Sequence, residues 1–424
     1  MLRPPTALVT AVLLLGFGPP PGFGPASTFG PIPAFAQEGM PRVAPEVVRI
    51  STAGLEEATE ALEAAVAQGR IAGAVVGVAR MGSIPHLEAV GAQDLATGVP
   101  MTERSLFRIY SMSKAVTSVA AMILWEEGHF ELDDPVSDYI PQFANVYVLD
   151  SPAGPPRSPR QPITVRDLML HTSGLSHRNS GLYRDAQVRR RDIPMPQFIA
   201  NLVAVPLMED PGTRFRYSAA TSVLGALIEI WSGRSLDEFM QERIFSPLGM
   251  VDTGFWVPLA DQDRLTTVYS PGQGGALEPI QIEEVPFTER PALLEGAVGL
   301  VSTVPDFLRF SQMLLNRGEL GSARVLRTET VAVITGNGLS DAVLEQRSGT
   351  MGWGLGNVNV VMDAYSLDYP TNEGEYGWDG SAGTVFWNDP TEDLSIVLMW
   401  QSRPANPGSL RARVKTLVYE ALLD

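Results

Sequence analysis

A serine and a lysine three residues apart stand at the start of a strongly apolar helical segment. The run from Ser111 and Lys114 to Leu124 is hydrophobic on nearly every face, which is typical of a buried helix. Side chains three apart on a helix lie one above the other, so the Ser111 hydroxyl and the Lys114 amine can share a proton. Burial and the positive end of the helix dipole both disfavour an ammonium, and Lys114 is therefore predicted to be a base that activates Ser111.

The choice of lysine at this position supports the hypothesis. The sequence has 31 basic residues, of which only Lys114 and Lys415 are lysines. Arginine cannot give up its proton and lysine can. A lysine in a chain that otherwise uses arginine is therefore a small additional indication of a base. The alternative is an ordinary helix N-terminus with a lysine whose amine reaches out to solvent.

Composition limits the other functions that this chain can have. Its 424 residues, 45% of them hydrophobic, suffice for one large or two ordinary domains. A net charge of −17 argues against nucleic acid as a partner. The absence of cysteine excludes disulfides, thiolate metal sites and a cysteine nucleophile. The four histidines form no His-x-x-x-His pair, so no metal and no cofactor are predicted.

The N-terminal residues have the pattern of an export signal. Arg3 is followed by an apolar stretch over residues 7–17 and by small residues at Ala34 and Ala36, where a signal peptidase would cut. We therefore predict a signal peptide at residues 1–36, a flexible linker at 37–46, and export to the periplasm or the medium. The apolar stretch is too short to span a bilayer, so no stable membrane anchor is expected. An uncleaved tail is the alternative.

The order of the predicted elements indicates the fold class. Strands are expected near both ends of the chain and helices in its middle, which is the order of an α/β (α+β) protein whose N- and C-terminal strands share one antiparallel sheet around an inserted helical region. The predicted elements are an amphipathic helix at residues 54–68, hairpins at 72–80 with 87–92 and 384–388 with 394–400, and a terminal helix at 409–423.

A series of motifs follows the Ser-x-x-Lys pair in a recognisable order. They are Ser111-Met112-Ser113-Lys114, residues 163–175, Phe215-Arg216-Tyr217-Ser218, residues 247–250, residues 299–303 and residues 377–384. This order resembles the β-lactamase-related serine hydrolases, which share the fold of class C β-lactamases and penicillin-binding D,D-peptidases. The resemblance implies a single catalytic domain at residues 47–424. Its sheet part would be about residues 47–107 and 296–424, and its helical part about 108–295.

The last of these motifs differs from that of the β-lactamases. They carry Lys-Thr-Gly or a close relative on the strand beside the site, whereas this chain has Trp378-Asp379-Gly380, which resembles the family VIII carboxylesterases. An indole wall and an acid in place of a cation favour neutral substrates over anionic ones. Ala219 also stands where class C enzymes have an asparagine that holds a substrate amide. The predicted substrate is a small neutral carboxylic ester.

The resemblance also implies a role for each site residue. Ser111 would be the nucleophile, and Tyr217 would pass a proton between Ser111, the leaving alcohol and water; either Lys114 or Tyr217 is the first base. The backbone N–H groups of Ser111 and Ser381 would form the oxyanion hole. The expected substrate-binding residues are Trp378, Asp379 and Gly380.

Several alternatives use the same residues or their neighbours. A β-lactamase, a D,D-peptidase and an acyltransferase would all use Ser111, Lys114 and Tyr217, and a binding protein that lost its chemistry is the non-enzyme alternative. A Ser-His-Asp triad with His171 and Asp167 is less consistent with the chain, which has no Gly-x-Ser-x-Gly elbow. The oligomeric state is left open.

The proposed role of Lys114 leads to a first prediction. Lys114→Arg keeps a positive charge but supplies a group that cannot be deprotonated, so ester turnover should fall by several orders of magnitude. Steady-state kinetics on a p-nitrophenyl ester measure the effect. A variant with near-normal kcat would show that Lys114 acts only as a fixed charge.

Overall fold

The computed structural model describes residues 40–149, 154–177, 180–188 and 190–423. The predicted signal peptide, residues 1–36, lies outside the described residues, as do residues 37–39 of the predicted linker. None of the described helices is long and apolar enough to cross a membrane.

Helices occur throughout the described part of the chain. They are α1 (Thr52–Ala67), α2 (Ser113–Glu126), α3 (Val165–Met169), α4 (Gly181–Asp185), α5 (Met195–Val203), α6 (Ala220–Ser232), α7 (Leu236–Met240), α8 (Ser246–Leu248), α9 (Val304–Leu315), α10 (Thr328–Thr335), α11 (Asp341–Glu345) and α12 (Leu410–Glu420).

The longer strands come from the two ends of the chain, and short ones lie between them. They are β1 (Gly73–Arg80), β2 (Ser83–Asp94), β3 (Val99–Pro100), β4 (Phe107–Arg108), β5 (Val148–Leu149), β6 (Pro156–Arg157), β7 (Tyr269–Pro271), β8 (Leu277–Pro279), β9 (Val301–Ser302), β10 (Glu319–Leu320), β11 (Ala323–Arg324), β12 (Met351–Gly354), β13 (Val358–Val361), β14 (Tyr376–Asp379), β15 (Val385–Asp389) and β16 (Leu394–Trp400).

One large antiparallel sheet combines the strands from both ends. Its order is β12-β13-β14-β15-β16-β1-β2-β3. The two halves join where β1 pairs with β16, with Ala74 opposite Trp400 and Arg80 opposite Leu394. The predicted fold class, a sheet built from N- and C-terminal strands around a mostly helical insertion, is confirmed.

Helices cover both faces of this sheet. Every residue of β1 and of β16 is buried, because a strand with helices on both sides has no solvent-facing side chains. The amphipathic helix α1 and the terminal helix α12 pack against one face, which we call the rear face. Helix α9 packs on the opposite face, the front face, and the apolar helices α2 and α6 continue the core on that side.

Helix α2 lies deep in the core, as its apolar sequence predicts. All of its residues from Ser113 to Leu124 are buried. Helix α6 packs beside it and is itself buried over most of its length. The start of α2 is therefore held on a rigid support.

Residues 41–43, which lie within the predicted linker, pair with strand β2. The N–H of Ile84 in β2 donates to the carbonyl of Pro41 at 2.8 Å, and the N–H of Val43 donates back to the carbonyl of Ile84 at 3.2 Å. Residues 41–43 thus form a short parallel pairing with β2. Backbone pairing to a sheet edge does not require an apolar sequence, so the composition of this segment did not reveal it.

The packing of α9 on the sheet can be tested at a glycine. A Cβ at Gly77 in β1 would lie 2.6 Å from Val304 and 2.7 Å from Leu308 of α9. Gly77→Ala should therefore lower the free energy of unfolding by about 1–3 kcal/mol, as overpacking does. The control is Gly181→Ala, where a Cβ meets no atom of the described residues within 4 Å. Equal stability of the two variants in urea titrations would contradict this packing.

Candidate active site

The nucleophile segment is held by a short ladder before α2 begins. Strand β4 pairs with β9, and the N–H of Ile109 donates to the carbonyl of Leu300 at 3.0 Å. Residues Tyr110–Met112 then form a 3₁₀ turn, so Ser111 precedes α2 and does not belong to its first turn. Tyr110 has a φ of 42°, a left-handed conformation that is strained for a bulky side chain. The ladder before it and the buried helix after it hold that conformation.

The second serine of the motif has a structural role. Ser113 is the first residue of α2 and is fully buried. Its hydroxyl accepts a hydrogen bond from the N–H of Leu300 at 3.1 Å. This bond ties the start of α2 to the segment that leads into β9.

Lys114 lies one turn from Ser111 and is almost completely buried, with 1% of its surface exposed. Its Nζ is 3.5 Å from the Ser111 Oγ and donates to the carbonyl of Ala297 at 2.9 Å. The same nitrogen lies 4.6 Å from the centre of the Tyr217 ring. The amine therefore contacts both the nucleophile and the tyrosine that sequence analysis assigned to proton transfer.

Tyr217 enters the site from the loop that precedes α6. Its ring lies 4.7 Å from the ring of His171 and 5.2 Å from that of Trp378. The indole N–H of Trp378 donates to the Tyr217 hydroxyl oxygen at 3.1 Å. An indole N–H can only donate, so this bond persists when the phenol gives up its proton and is stronger to the anion.

Trp378 and Asp379 face opposite sides of the sheet. Trp378 is on the front face, where its ring also packs edge-on against Trp353 at 4.6 Å. Asp379 is on the rear face, where it forms an ion pair with Arg411 of α12. Successive side chains of a strand alternate between faces, so the Asp379 carboxylate does not share the front face with the Trp378 indole. The predicted substrate contact of Asp379 therefore has no support from its position on the rear face, whereas Trp378 lies beside Tyr217.

Gly380 lets the turn after β14 approach the nucleophile segment. A Cβ at this position would lie 2.5 Å from the carbonyl oxygen of Ile109. The Thr384 hydroxyl also donates to that carbonyl at 3.3 Å. The turn that contains Ser381 is thus packed against the residues just before Ser111. The Ser381 side chain itself is exposed and accepts a hydrogen bond from Arg403 at 3.2 Å.

His171 and Asp167 do not form a triad with Ser111. The Asp167 carboxylate accepts from the N–H and hydroxyl of Thr164 in a capping box and from the hydroxyl of Thr172 at 2.7 Å. The Nδ1 of His171 lies 3.2 Å from the Ser218 hydroxyl. Burial, and then the nearby Lys114, hold the pKa of His171 well below its usual range, so its ring is neutral and serves as a wall for Tyr217.

Three residues at the site were not predicted from the sequence. Ala297 supplies the carbonyl that Lys114 binds, Trp353 packs against Tyr217 and Trp378, and Arg411 binds Asp379. Ala297 lies two residues before the segment 299–303 that was noted as a motif, which was the one available signal. Nothing local in the sequence distinguishes Trp353 or Arg411 from other buried side chains.

Together, the fold and this arrangement define a serine hydrolase of the β-lactamase fold, with Ser111, Lys114 and Tyr217 in one cluster. A family model described as Beta-lactamase matches residues 58–420. The chain therefore belongs to the beta-lactamase family.

Relatives within this family include esterases. Protein Rv1367c of Mycobacterium tuberculosis (strain ATCC 25618 / H37Rv) is 35% identical over 355 residues, which cover 79% of this chain and 87% of the relative. Esterase EstB of Burkholderia gladioli is 29% identical over 385 residues, covering 84% of this chain and 92% of the relative. Among solved structures, EstCE1, a hydrolase with promiscuous acyltransferase activity, superposes with a TM-score of 0.77 at 28% identity, covering 87% of this chain and 99% of that chain.

The hydrogen bond between Trp378 and Tyr217 can be tested directly. Trp378→Phe keeps an aromatic ring but removes the donor to the Tyr217 oxygen, which would be negative if Tyr217 transfers the proton. The kcat should then fall about 10- to 100-fold, the value of a hydrogen bond to a charged group. Trp387→Phe is the matched control, because Trp387 follows Phe386 of β15 and lies on the rear face near Lys415. Equal kcat values for the two variants would show that the indole N–H has no role in turnover.

Proposed function

We propose that this protein is an exported carboxylesterase that cleaves small neutral esters through an acyl-enzyme on Ser111. The observation that carries the proposal is the hydrogen bond from Trp378 to Tyr217. This bond supports the proposal because it joins an indole to the residue predicted to transfer protons, at the position where the resemblance puts a carboxylate-binding lysine in β-lactamases and D,D-peptidases. The esterases among the relatives support the same reaction class.

The first half of the reaction forms the acyl-enzyme. Lys114 or Tyr217 takes the proton of the Ser111 hydroxyl as its oxygen attacks the ester carbonyl. The negative charge that develops on the carbonyl oxygen is stabilised by the backbone N–H groups of Ser111 and Ser381. Collapse of the tetrahedral intermediate breaks the bond to the alcohol oxygen, which leaves with the proton that the base received.

The second half releases the acid. Water gives a proton to the same base and attacks the acyl carbonyl, and the new tetrahedral intermediate collapses with return of the proton to the Ser111 oxygen. The carboxylic acid leaves and the enzyme regains its starting protonation. An alcohol that replaces water in this step would give a new ester, which is the acyltransferase alternative suggested by the description of EstCE1.

The preference for neutral substrates now has one basis instead of two. Both an indole and an acid at the edge strand were expected to disfavour anionic substrates. Asp379, however, faces the rear and is paired with Arg411. The remaining argument is that Trp378 places an apolar ring where a cation would bind a substrate carboxylate. Proposed export rests on the sequence of residues 1–36 alone.

A substrate panel tests the proposed function. The kcat/KM for p-nitrophenyl butyrate should exceed that for a chromogenic cephalosporin or a D-Ala-D-Ala peptide, because the anionic substrates find no cation at Trp378. Ser111→Ala should abolish turnover and covalent labelling by a fluorophosphonate.

The matched control is Ser381→Ala, which removes an exposed hydroxyl but keeps the backbone N–H and should retain labelling. Preference for the cephalosporin would favour a β-lactamase. Label on the Ser111→Ala protein would identify another nucleophile, and the absence of label and turnover from the unmodified protein would favour a binding protein.

A further inference from the structure

A buried arginine on the rear face holds the turn that contains Ser381. Arg411 of α12 is 8% exposed. Its Nη1 forms the ion pair with Asp379, and its Nη2 donates to the carbonyls of Gly380 at 3.0 Å and Thr384 at 3.1 Å. One guanidinium thus binds the last residue of β14 and both ends of the turn that leads to β15. Its planar fork of donors suits such a multiple contact.

The Gly380 carbonyl and the Ser381 N–H belong to the same peptide group. In a trans peptide these two bonds point in opposite directions, and the group is planar. The Gly380 carbonyl accepts from Arg411 and from the N–H of Gly383 at 3.2 Å, on the side of the turn toward β15 and α12. The N–H of Ser381 must therefore point away from β15.

That direction leads to the free edge of β14. Strand β13 pairs with β14 only at Tyr376 and Gly377, so the end of β14 has no strand on that side. Gly380, next to it, is packed against the Ile109 carbonyl just before the nucleophile. The direction of the Ser381 N–H is thus the one that an oxyanion donor beside Ser111 requires.

We infer that Arg411 is a positioning residue for the oxyanion hole: by binding the Gly380 and Thr384 carbonyls from the rear of the sheet, it sets the direction of the Ser381 N–H on the active-site edge. It also polarises the shared peptide group, since a cation at the carbonyl oxygen strengthens the N–H as a donor. This inference rests on the proposed function, because it assumes an oxyanion at this place.

Arg411 stays charged and is held in one orientation. Burial lowers its pKa from the usual value while Asp379 raises it, and a guanidinium keeps its proton throughout the working range. The guanidinium also lies 5.9 Å from the centre of the Trp400 ring. A rear pocket of about 400 Å³, lined among others by Asp379, Arg411 and Trp387, gives small molecules a path to this pair.

The test compares substitutions of Arg411 on a p-nitrophenyl ester. Loss of one oxyanion donor costs about 10²–10³ in kcat, and a misdirected donor should cost less, so we expect Arg411→Ala to lower kcat about 10- to 100-fold with KM within about threefold. Arg411→Lys keeps the charge but not the fork, and its kcat should lie between the two. Each rate is expressed per active site titrated with a fluorophosphonate, so that unfolded molecules do not count.

Rescue by added guanidinium distinguishes a role of Arg411 in positioning the Ser381 N–H from a role in protein stability alone. At concentrations far below those that unfold the protein, guanidinium should enter the rear pocket of Arg411→Ala, bind Asp379 and the two carbonyls, and restore kcat in a saturable way. Urea has the same shape without the charge and should not. The matched control is Arg403→Ala, which removes the donor to the Ser381 hydroxyl instead of the backbone and should keep the unmodified kcat.

Three results would contradict a positioning role for Arg411. A normal kcat per titrated site in Arg411→Ala, equal rescue by urea, or an equal loss in Arg403→Ala would overturn it. Failure of the proposed function looks different, because the unmodified protein would then show neither turnover nor labelling. If Arg411→Ala does not fold, Arg411→Lys with normal kcat per site would overturn the inference as well.

Discussion

The buried amine of Lys114 is the constraint on which the arrangement of the site depends. A lysine out of reach of water must find polar contacts or lose its charge, and here the Ala297 carbonyl, the Ser111 hydroxyl and the face of the Tyr217 ring surround it. The same segment that supplies the Ala297 carbonyl continues into β9, which pairs with the strand before Ser111. Ser111 and the carbonyl that binds Lys114 are therefore attached to one frame. If one of these two segments moved relative to the other, Lys114 would lose its contact with Ser111 or with Ala297.

Strand β14 serves two faces at once. Its front side chain, Trp378, contacts the proton-transfer tyrosine, and its rear side chain, Asp379, is paired with the terminal helix α12. The turn that follows β14 is also bound on both sides: Thr384 donates to the Ile109 carbonyl in front, and Arg411 donates to the Gly380 carbonyl behind. The position of the active-site edge is thus determined by residues on both sides of the sheet, including a helix with no side chain in the cleft.

The sequence predicted much of this structure for physical reasons. The hairpins, α1, α2 and α12 follow from apolar periodicity, and the order of strands and helices predicts a sheet shared by both ends of the chain. The structure brings together Ser111, Lys114 and Tyr217, as the order of the motifs implied. Asp379 was misplaced although the period of two in a strand already requires it to face away from Trp378. The sequence did not indicate which of the two faces the site.

Other features were beyond prediction because they depend on distant packing. Arg411 and Gly380 are separated by more than one secondary-structure element, and no local pattern links a helix residue to a carbonyl in a turn. The pairing of residues 41–43 with β2 uses backbone groups, which every residue has. The Trp378 to Tyr217 bond joins two segments of the chain 161 positions apart. Composition and periodicity carry no information on such contacts.

An isolated antiparallel bridge joins residues 49–51 to residues 421–423, near the two ends of the described chain. The N–H of Ser51 donates to the carbonyl of Ala421 at 2.8 Å, and the N–H of Leu423 donates to the carbonyl of Arg49 at 2.9 Å. A connection between residues 423 and 49 would therefore be short, and the chain could instead begin within a loop of the helical region. Such a permutant would lack the pairing of residues 41–43 with β2. In such a circular permutant, β12 to β16 would precede β1 to β3 with helices α12 and α1 between β16 and β1, so the two halves of the sheet would lie much closer in the sequence. The native chain order separates β1 from β16 by the entire helical region, and circular permutation would remove that separation without moving a residue of the site.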